Sequence, residues 1–217
     1  MENQLRIVVV DDQELVRKGI IHMLSSIKDY KIVGEASSGE EAVDVVRGQN
    51  VDVVLMDIKM KGIGGLEATR RIIRVSPDTK VLVISTFDSN SLYPAKVMKA
   101  GAFGYITKSA SFKEMLRAIN FIKNSQKYIS SEIASDLAIM KITEKDSSPF
   151  NDLSDKEFQV AVRVSKGETA NSIAKDLFLS PKTVNSYRYR IFQKLSIQND
   201  VELALMAIKY NLDEEST

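Results

Sequence analysis

The stretch that decides the fold is V-D-V-V-L-M-D-I-K-M-K, residues 51–61. Its first half is a nearly continuous apolar run, which is typical of a parallel strand buried on both faces. Asp57 stands at the end of this run. Because ligand sites in open α/β sheets form outside the carboxyl ends of the strands, we expect Asp57 to face such a site. A cap on the following turn is the alternative that this residue alone leaves open.

A second predicted strand, residues 6–10, ends in Asp11 and Asp12. If the two strands are neighbours, three carboxylates meet at one edge of the sheet. Like charges this close repel one another unless a cation lies among them. Oxygen ligands that leave positions for water suit Mg²⁺. The residues therefore predict a magnesium site that includes Asp11, Asp12 and Asp57.

The pattern along the chain predicts two domains. From residue 5 to about residue 123, strand-like and helix-like segments alternate, five of each. This alternation predicts a doubly wound, five-stranded parallel sheet with right-handed crossovers, an α/β domain over residues 1–124. Residues 125–152 form a linker that contains one helical candidate followed by Ser-Ser-Pro at 147–149. Residues 153–217 contain four helical segments and no strand, which predicts an all-α domain.

Composition narrows the function classes. The chain has 217 residues, a net charge of +1 and no cysteine, so it forms neither disulfides nor a thiolate metal site, which fits a cytoplasmic location. No apolar run approaches the ~20 residues that a membrane span requires. The first ten residues do not have the pattern of a signal peptide. The expectation is a cytoplasmic protein without a membrane partner.

Other strand ends carry matching chemistry. Ser85 ends the fourth predicted strand, and Lys108 follows the fifth, with Tyr105 three residues before it. A metal site, a hydroxyl and an ammonium around Asp57 could neutralise and hold a phosphoryl group. A carboxylate can accept such a group as an acyl phosphate. Taken one at a time, Ser85 also fits a turn, Tyr105 a core aromatic and Lys108 a surface lysine. Their joint placement is what specifically indicates a phosphoryl site.

These motifs resemble the receiver domain of bacterial response regulators. The acidic pair at 11–12, M-D at 56–57, I-S at 84–85 and A-G-A-F-G-Y-I-T-K at 100–108 stand where that family has its acidic pair, phosphoacceptor, hydroxyl and lysine. The resemblance implies that Asp57 accepts phosphate from the phosphohistidine of a sensor kinase or phosphotransfer domain. His22, the only histidine, is expected to be exposed, so the donor is another protein.

The resemblance also implies a role for each side chain of the site. Mg²⁺ would be held by Asp12, Asp57 and the Lys59 carbonyl, with Asp11 close by. Ser85 and Tyr105 would form the conformational switch, and Lys108 would pair with the phosphate. The family usually has proline at the position of Lys61. This departure predicts a more mobile loop, an extra cation near the site and an altered phosphate lifetime.

The second domain has the pattern of a helix-turn-helix, with a scaffold helix at 169–177 and a recognition helix at 181–195. Between Asp176 and Asp200 there is no acidic residue, and four basic ones give a net charge of +4. A basic helix with polar side chains near its start suits the major groove of DNA, although a small structural bundle has the same periodicity. The predicted DNA-binding residues are Lys182, Thr183, Asn185, Ser186, Tyr187, Arg188, Arg190 and Lys194.

The second domain also has a family resemblance. L-S-D-K-E at 153–157, I-A-K-D-L at 173–177 and L-S-P-K-T-V-N-S-Y-R-Y-R-I-F-Q-K-L at 179–195 resemble the LuxR-type DNA-binding domain. The whole chain is similar to the NarL/FixJ class of response regulators, and in T-V-N-S-Y-R-Y-R-I-F and D-V-E-L-A-L to the GacA/UvrY/LetA subgroup. The resemblance implies a hybrid sensor kinase of the BarA/GacS type and a homodimer when phosphorylated. It also implies duplex DNA targets at small regulatory RNA genes.

Two alternative functions come from other classes. Asp57 could be the nucleophile of a metal-dependent phosphohydrolase. Haloacid-dehalogenase-type enzymes usually carry a second aspartate two residues on, and Lys59 stands there instead. We therefore expect no enzyme, and at most slow self-dephosphorylation. The second alternative is a helical protein-interaction module in place of the DNA-binding domain, which salt-dependent duplex binding would distinguish.

Overall fold

The computed structural model describes residues 4–86, 93–142, 148–210 and 212. Its contacts divide the chain into two compact units. The first comprises Met1–Phe87 and Ala95–Ile133, and the second comprises Asp88–Pro94 and Ala134–Thr217. The first unit is built around a parallel sheet with helices, and the described part of the second is helical.

The sheet of the first unit has the spatial order β2-β1-β3-β4-β5-β6, with every described pair parallel. This confirms the doubly wound fold. Five strands were predicted, and the sixth is an addition. It has two residues, too few for any periodicity to show, and it pairs Tyr128 with Gly104 at the edge of the sheet. The strands are β1 Leu5–Val10, β2 Tyr30–Ala36, β3 Val53–Met56, β4 Lys80–Ser85, β5 Gly104–Thr107 and β6 Tyr128–Ile129.

Helices follow the strands and carry recognisable start signals. The Ser38 hydroxyl accepts the Glu41 N–H at the start of α2, and the Ser111 hydroxyl accepts the Glu114 N–H at the start of α5. Such caps satisfy backbone donors that have no partner within the helix. The helices of this part of the chain are α1 Glu14–Ser25, α2 Gly39–Gly48, α3 Gly64–Val75, α4 Tyr93–Lys99, α5 Phe112–Lys123 and α6 Ser131–Ile142.

Strand β3 lies in the centre of the core, as its apolar run predicts. Its four residues are all buried, and Leu55 is in one cluster with residues of β1, β4, β5, α1 and α5. Burial on both faces leaves the carboxyl ends of the strands as the place where polar side chains can gather. His22 on α1 is exposed, as expected.

The described part of the second unit contains most of α6, the four predicted helices and a short 3-10 helix, Pro149–Asp152, within the predicted linker. Ser154 and Glu157 form a capping box at the start of the first of these helices. Phe158, Ile173 and Val184 are fully buried and form the centre of its core. The four helices are α7 Asp155–Ser165, α8 Ala170–Asp176, α9 Pro181–Leu195 and α10 Asp200–Lys209.

Candidate functional site

The neighbouring strands β1 and β3 bring the predicted carboxylates together. Val10 lies opposite Met56, and the Asp57 N–H donates to the Val10 carbonyl at 2.9 Å. Asp11 and Asp57 therefore leave the sheet side by side. One carboxylate oxygen from each of Asp11, Asp12 and Asp57 lies within 4.8 Å of the other two. The sequence prediction of three carboxylates at one edge of the sheet is thus met in the structure.

Lys108 places its ammonium among these carboxylates. Its Nζ lies 2.8 Å from Asp57 Oδ2 and 2.7 Å from Asp11 Oδ2. The position is fixed by the backbone, because the Lys108 N–H donates to the Ser85 carbonyl at 2.8 Å where β4 and β5 end. The other Asp57 oxygen, Oδ1, accepts the Lys59 N–H at 3.2 Å. Asp57 is therefore oriented through both of its carboxylate oxygens.

The carboxylates repel one another despite the charge of this lysine, and their pKa values reflect it. Burial raises the pKa of Asp57, and the charge of Asp11 adds to the rise, against the opposing effect of Lys108. Burial and Asp11 likewise raise the pKa of Asp12, although Lys108 and Lys61 act in the opposite direction. Burial lowers the pKa of Lys108, but its bonds to Asp11 and Asp57 outweigh this and raise it overall. The site favours additional positive charge.

The donor set fits Mg²⁺. Asp11 and Asp57 are 2% exposed, whereas Asp12 is exposed, so one side of the cluster is open to water. Mg²⁺ in proteins is bound by one or two carboxylates and usually retains several waters. Lys59, whose carbonyl was the fourth predicted ligand, lies in the loop that follows Asp57. Lys61, the cation predicted near the site, is exposed, and its charge opposes the rise in the pKa of Asp12.

Ser85 and Tyr105 lie inside the same edge of the sheet. Ser85 is the last residue of β4, lies opposite Thr107 of β5 and is fully buried. Tyr105 lies opposite Val83 and is among the largest fully buried side chains of the chain. The buried Ser85 hydroxyl is at the end of β4, next to the strand that precedes Asp57, and the buried Tyr105 ring is on β5, with β4 between it and that strand.

Two contributors to the site were not predicted. Gly65 is in the first turn of α3, and a Cβ atom on it would lie 2.0 Å from the Asp57 carbonyl oxygen. The glycines at positions 62, 64 and 65 are the feature of the sequence that could have indicated this close approach. Glu40 accepts the Ile63 N–H at 2.9 Å from the first turn of α2. Nothing in the sequence indicated a contact between residues 23 positions apart.

The predicted recognition helix presents the expected faces. Lys182, Asn185, Ser186 and Arg190 are exposed, and Tyr189 is 64% exposed. Apolar residues of α8 and α9 are buried, as the periodicity of a helix-turn-helix requires: Ile173, Ala174, Leu177, Val184, Ile191 and Leu195. The Arg190 guanidinium lies over the ring of Tyr187, 5.1 Å from its centroid. This face therefore carries polar, aromatic and basic groups.

The net charge of +4 on this helix overstates its local field, because two of the four cations have carboxylate partners elsewhere. Arg188 forms an ion pair with Asp200, at the start of α10. Lys194 lies 2.7 Å from Glu157 of α7 and also donates to the Asp152 carbonyl at 3.1 Å. The charge count between Asp176 and Asp200 includes neither partner, because both lie outside that stretch of sequence. Lys182 and Arg190 are the cations of the helix for which the described residues show no ion pair.

Comparisons with known proteins agree with this architecture. Residues 7–120 match the response regulator receiver domain family, and residues 151–207 match the luxR family of bacterial regulatory proteins. The chain therefore belongs to the response regulators of two-component systems, and it is a transcription factor with a LuxR-type helix-turn-helix domain.

Its relatives cover nearly the whole chain. It is 50% identical over 214 residues to the response regulator UvrY of Escherichia coli, and the match covers 98% of each chain. It is 47% identical over 209 residues to the response regulator GacA of Pseudomonas aeruginosa, covering 96% of this chain and 97% of that protein. These relatives confirm the predicted GacA/UvrY subgroup.

A solved structure shares the fold. It is RcsB of Salmonella enterica bound to a promoter in the presence of the phosphomimetic BeF₃⁻, with a TM-score of 0.61 and 23% identity. The match covers 94% of this chain and 98% of that one.

In the described part of the present chain, no helix has the length and apolar character that a membrane span needs.

Proposed function

We propose that this transcription factor is switched by phosphorylation of Asp57 and binds promoter DNA through α9 when phosphorylated. The observation that carries the proposal is the Asp57 carboxylate, 2% exposed, with Asp11 and Asp12 around it and Lys108 Nζ at 2.8 Å. The donor is a phosphohistidine of a sensor kinase or phosphotransfer domain. An Asp57 oxygen forms a bond to phosphorus, the phosphorus–nitrogen bond of the donor breaks, and an acyl phosphate remains.

Each neighbour of Asp57 has a part in this transfer. The backbone bond to Val10 and the Lys59 N–H on Oδ1 hold the carboxylate in place, which leaves Oδ2 to act as the nucleophile. Lys108 contacts Oδ2 before transfer and would pair with the phosphoryl oxygens afterwards, since a charge-assisted bond to phosphate is stronger than a neutral one. Asp11, Asp12, Asp57 and the Lys59 carbonyl would hold Mg²⁺, which when bound neutralises charge on the phosphoryl oxygens.

The switch works through the buried side chains at the same edge. An acyl phosphate at Asp57 adds negatively charged acceptors beside the end of β4. The Ser85 hydroxyl would donate to one of them, and Tyr105 would follow because its ring is packed at the neighbouring strand. This rearrangement changes the surface around β4 and β5, and thereby favours a homodimer.

The output side chains divide into two groups. Lys182, Thr183, Asn185, Ser186, Tyr187 and Arg190 would contact duplex DNA. Arg188 and Lys194 primarily tie α9 to α10 and α7, as their ion pairs indicate. A dimer would bind two half-sites of a roughly symmetric operator. By similarity to its subgroup, the protein would act in the cytoplasm, downstream of a hybrid sensor kinase, on promoters of small regulatory RNAs. It would not be an enzyme beyond slow self-dephosphorylation.

The proposal is tested by titrating labelled promoter duplex with unphosphorylated and acetyl phosphate-treated protein, and by mapping bound DNA across the genome. We expect tighter binding after treatment and bound sites near small RNA genes. A helical unit that binds no duplex even at low salt would overturn the DNA-binding part and favour a protein-interaction output. Steady release of phosphate from small phosphoesters would favour a phosphohydrolase.

Lys108→Ala should still be labelled by acetyl phosphate but should respond weakly. Losing one charge-assisted bond to the acyl phosphate removes ~1.5 kcal/mol or more, so the gain in DNA affinity on phosphorylation should fall about tenfold. The measurement is the ratio of dissociation constants before and after phosphorylation. Lys113→Ala is the control, because it removes the same charge from an exposed position on α5. A Lys108→Ala protein that dimerises and binds DNA like wild type would refute this role.

Lys182→Ala should weaken binding to all DNA sequences and lower the salt slope by roughly one unit, because one phosphate contact and its released counterion are lost. Lys194→Ala removes the same charge from the same helix. Its partners are Glu157 and the Asp152 carbonyl, so it should lower thermal stability and leave the slope nearly unchanged. The measurement is duplex affinity at several salt concentrations. Equal slopes for the two variants would contradict the division of α9 into binding and structural lysines.

A further inference from the structure

The loop between β3 and α3, residues 59–63, is anchored by a side chain from outside the phosphorylation site. Glu40 of α2 accepts the Ile63 N–H at 2.9 Å through Oε1. The same carboxylate lies against Gly62, where φ is +76° and a Cβ atom would be 2.5 Å from Oε1. A carboxylate this close to two consecutive loop residues restricts where the loop can lie.

The helix that supplies this carboxylate is itself well fixed at its start. The Ser38 hydroxyl accepts the Glu41 N–H, and Glu41 Oε2 accepts the Ser37 N–H at 2.7 Å and the Ser37 hydroxyl at 2.9 Å. A Cβ atom on Gly39 would lie 2.7 Å from Ile63 Cγ1 and 2.9 Å from the Gly64 carbonyl oxygen, so the helix start also packs on the end of the loop and the start of α3. The start of α2 is therefore stabilised by Glu41, and the Glu40 side chain contacts the loop instead.

The other end of the loop reaches the phosphoacceptor. The Lys59 N–H donates to Asp57 Oδ1 at 3.2 Å, and the Gly65 N–H donates to the Ile58 carbonyl at 3.1 Å. Between Lys59 and the anchored Ile63 stands Lys61, whose charge acts on Asp12. A shift of the anchored end would therefore move both the Lys59 carbonyl and the Lys61 charge relative to the three carboxylates.

The two carboxylate oxygens of Glu40 differ in their contacts. Its second oxygen, Oε2, is buried and has no hydrogen-bond partner among the described residues. Leaving a buried acceptor unsatisfied is costly and offsets the stabilisation from the bond to Ile63. The contacts that the structure shows for this side chain are therefore those with the loop that begins just after Asp57.

We propose that Glu40 is a positioning residue for the phosphorylation site, holding the loop so that the Lys59 carbonyl faces the Mg²⁺ position. The inference rests on the proposed function of Asp57. It predicts that loss of the anchor weakens Mg²⁺ binding, because part of the binding free energy is then spent on ordering the loop. Glu40→Gln retains an oxygen that can accept the Ile63 N–H, whereas Glu40→Ala does not.

The test compares Glu40→Ala, Glu40→Gln and Glu41→Ala in the full chain. Hydrogen exchange at the Ile63 amide and Mg²⁺ titration by amide chemical shifts are measured without any phosphodonor. Initial labelling by acetyl phosphate is then measured against Mg²⁺ concentration. In Glu40→Ala we expect Ile63 exchange and the Mg²⁺ dissociation constant to rise about tenfold each, as for one lost bond to a charged group. Labelling at saturating Mg²⁺ should stay near the wild-type rate.

Two control variants distinguish the effect of Glu40 on the loop position from the effect of its charge and from a loss of folding stability. Glu40→Gln should restore both values to within about twofold of wild type, since the lost bond is remade. Glu41→Ala removes the same charge one residue away, together with both hydrogen bonds to Ser37 at the start of α2. It should lower the melting temperature and leave Mg²⁺ binding unchanged. An unaltered dissociation constant in Glu40→Ala would overturn the proposal, and so would a Glu40→Gln variant as weak as Glu40→Ala. If wild type is not labelled at Asp57, the proposed function fails, while exchange and Mg²⁺ titration still decide the anchoring.

Discussion

Asp57→Asn should abolish Mg²⁺-dependent labelling by acetyl phosphate. The amide has no carboxylate oxygen to attack phosphorus, so no acyl phosphate can form at this position. Omitting Mg²⁺ should also stop labelling of the wild type, because Lys108 and the more distant charge of Lys61 then relieve the repulsion among Asp11, Asp12 and Asp57 only in part. The measurement is incorporation of labelled phosphate with and without Mg²⁺, followed by mass mapping of the modified residue.

The same variant should be more stable than the wild type in Mg²⁺-free buffer at neutral pH. Burial and Asp11 raise the pKa of Asp57 in the folded state. A carboxyl group with a raised folded pKa costs stability when ionised, and this cost disappears as the pH falls below that pKa. Asp57→Asn removes the cost, so its advantage in melting temperature should be largest at neutral pH and should fade in acid.

Asp44→Asn is the matched control for both measurements. Asp44 is on the surface of α2, with its side chain 74% exposed, and it pairs only with Arg47 among the described ion pairs. Its replacement should leave labelling and melting temperature unchanged, since exposed pairs contribute little. Labelling of Asp57→Asn equal to the wild type, at an acid-stable linkage, would show that another residue is the acceptor.

The part of the site that could be predicted follows from the sheet. Apolar runs identified β1 and β3 as buried strands, and a parallel sheet brings the residues after such strands to one edge. Asp11, Asp57 and Lys108 were therefore predictable from their places along the chain. Strand β6 was not, because two residues show no period and their pairing depends on the free edge of β5.

What could not be predicted depends on contacts between distant segments. Glu40 reaches Ile63 across 23 residues, and neither residue belongs to a motif. Likewise, Lys194 pairs with Glu157 of α7, and Arg188 pairs with Asp200 of α10. Both partners lie outside the helix-turn-helix formed by α8 and α9, so these pairs form only when the four helices pack. Periodicity predicts which face of a helix is buried, but not which charge from another helix lies beside it.

Gly65→Ala should severely disrupt the receiver. The new Cβ would lie 2.0 Å from the Asp57 carbonyl oxygen and 2.8 Å from the Ile58 Cα atom. Both are backbone atoms, so the clash cannot be relieved by a side-chain rotation. Either α3 moves away from the end of β3 or Asp57 is displaced. We expect a loss of ~3 kcal/mol or more and little or no labelling of Asp57.

The matched control is Gly19→Ala, since Gly19 is inside α1 and has open space within 4 Å of an added Cβ. Alanine there should stabilise the helix by up to about 1 kcal/mol. Hydrogen exchange of the β1 and β3 amides measures both effects, because it follows unfolding of the receiver separately from the helical unit. If Gly65→Ala exchanged like wild type and were labelled normally, the close approach of α3 to Asp57 would not be needed for the site. If it lost labelling but not protection, the glycine would act on the position of Asp57 alone.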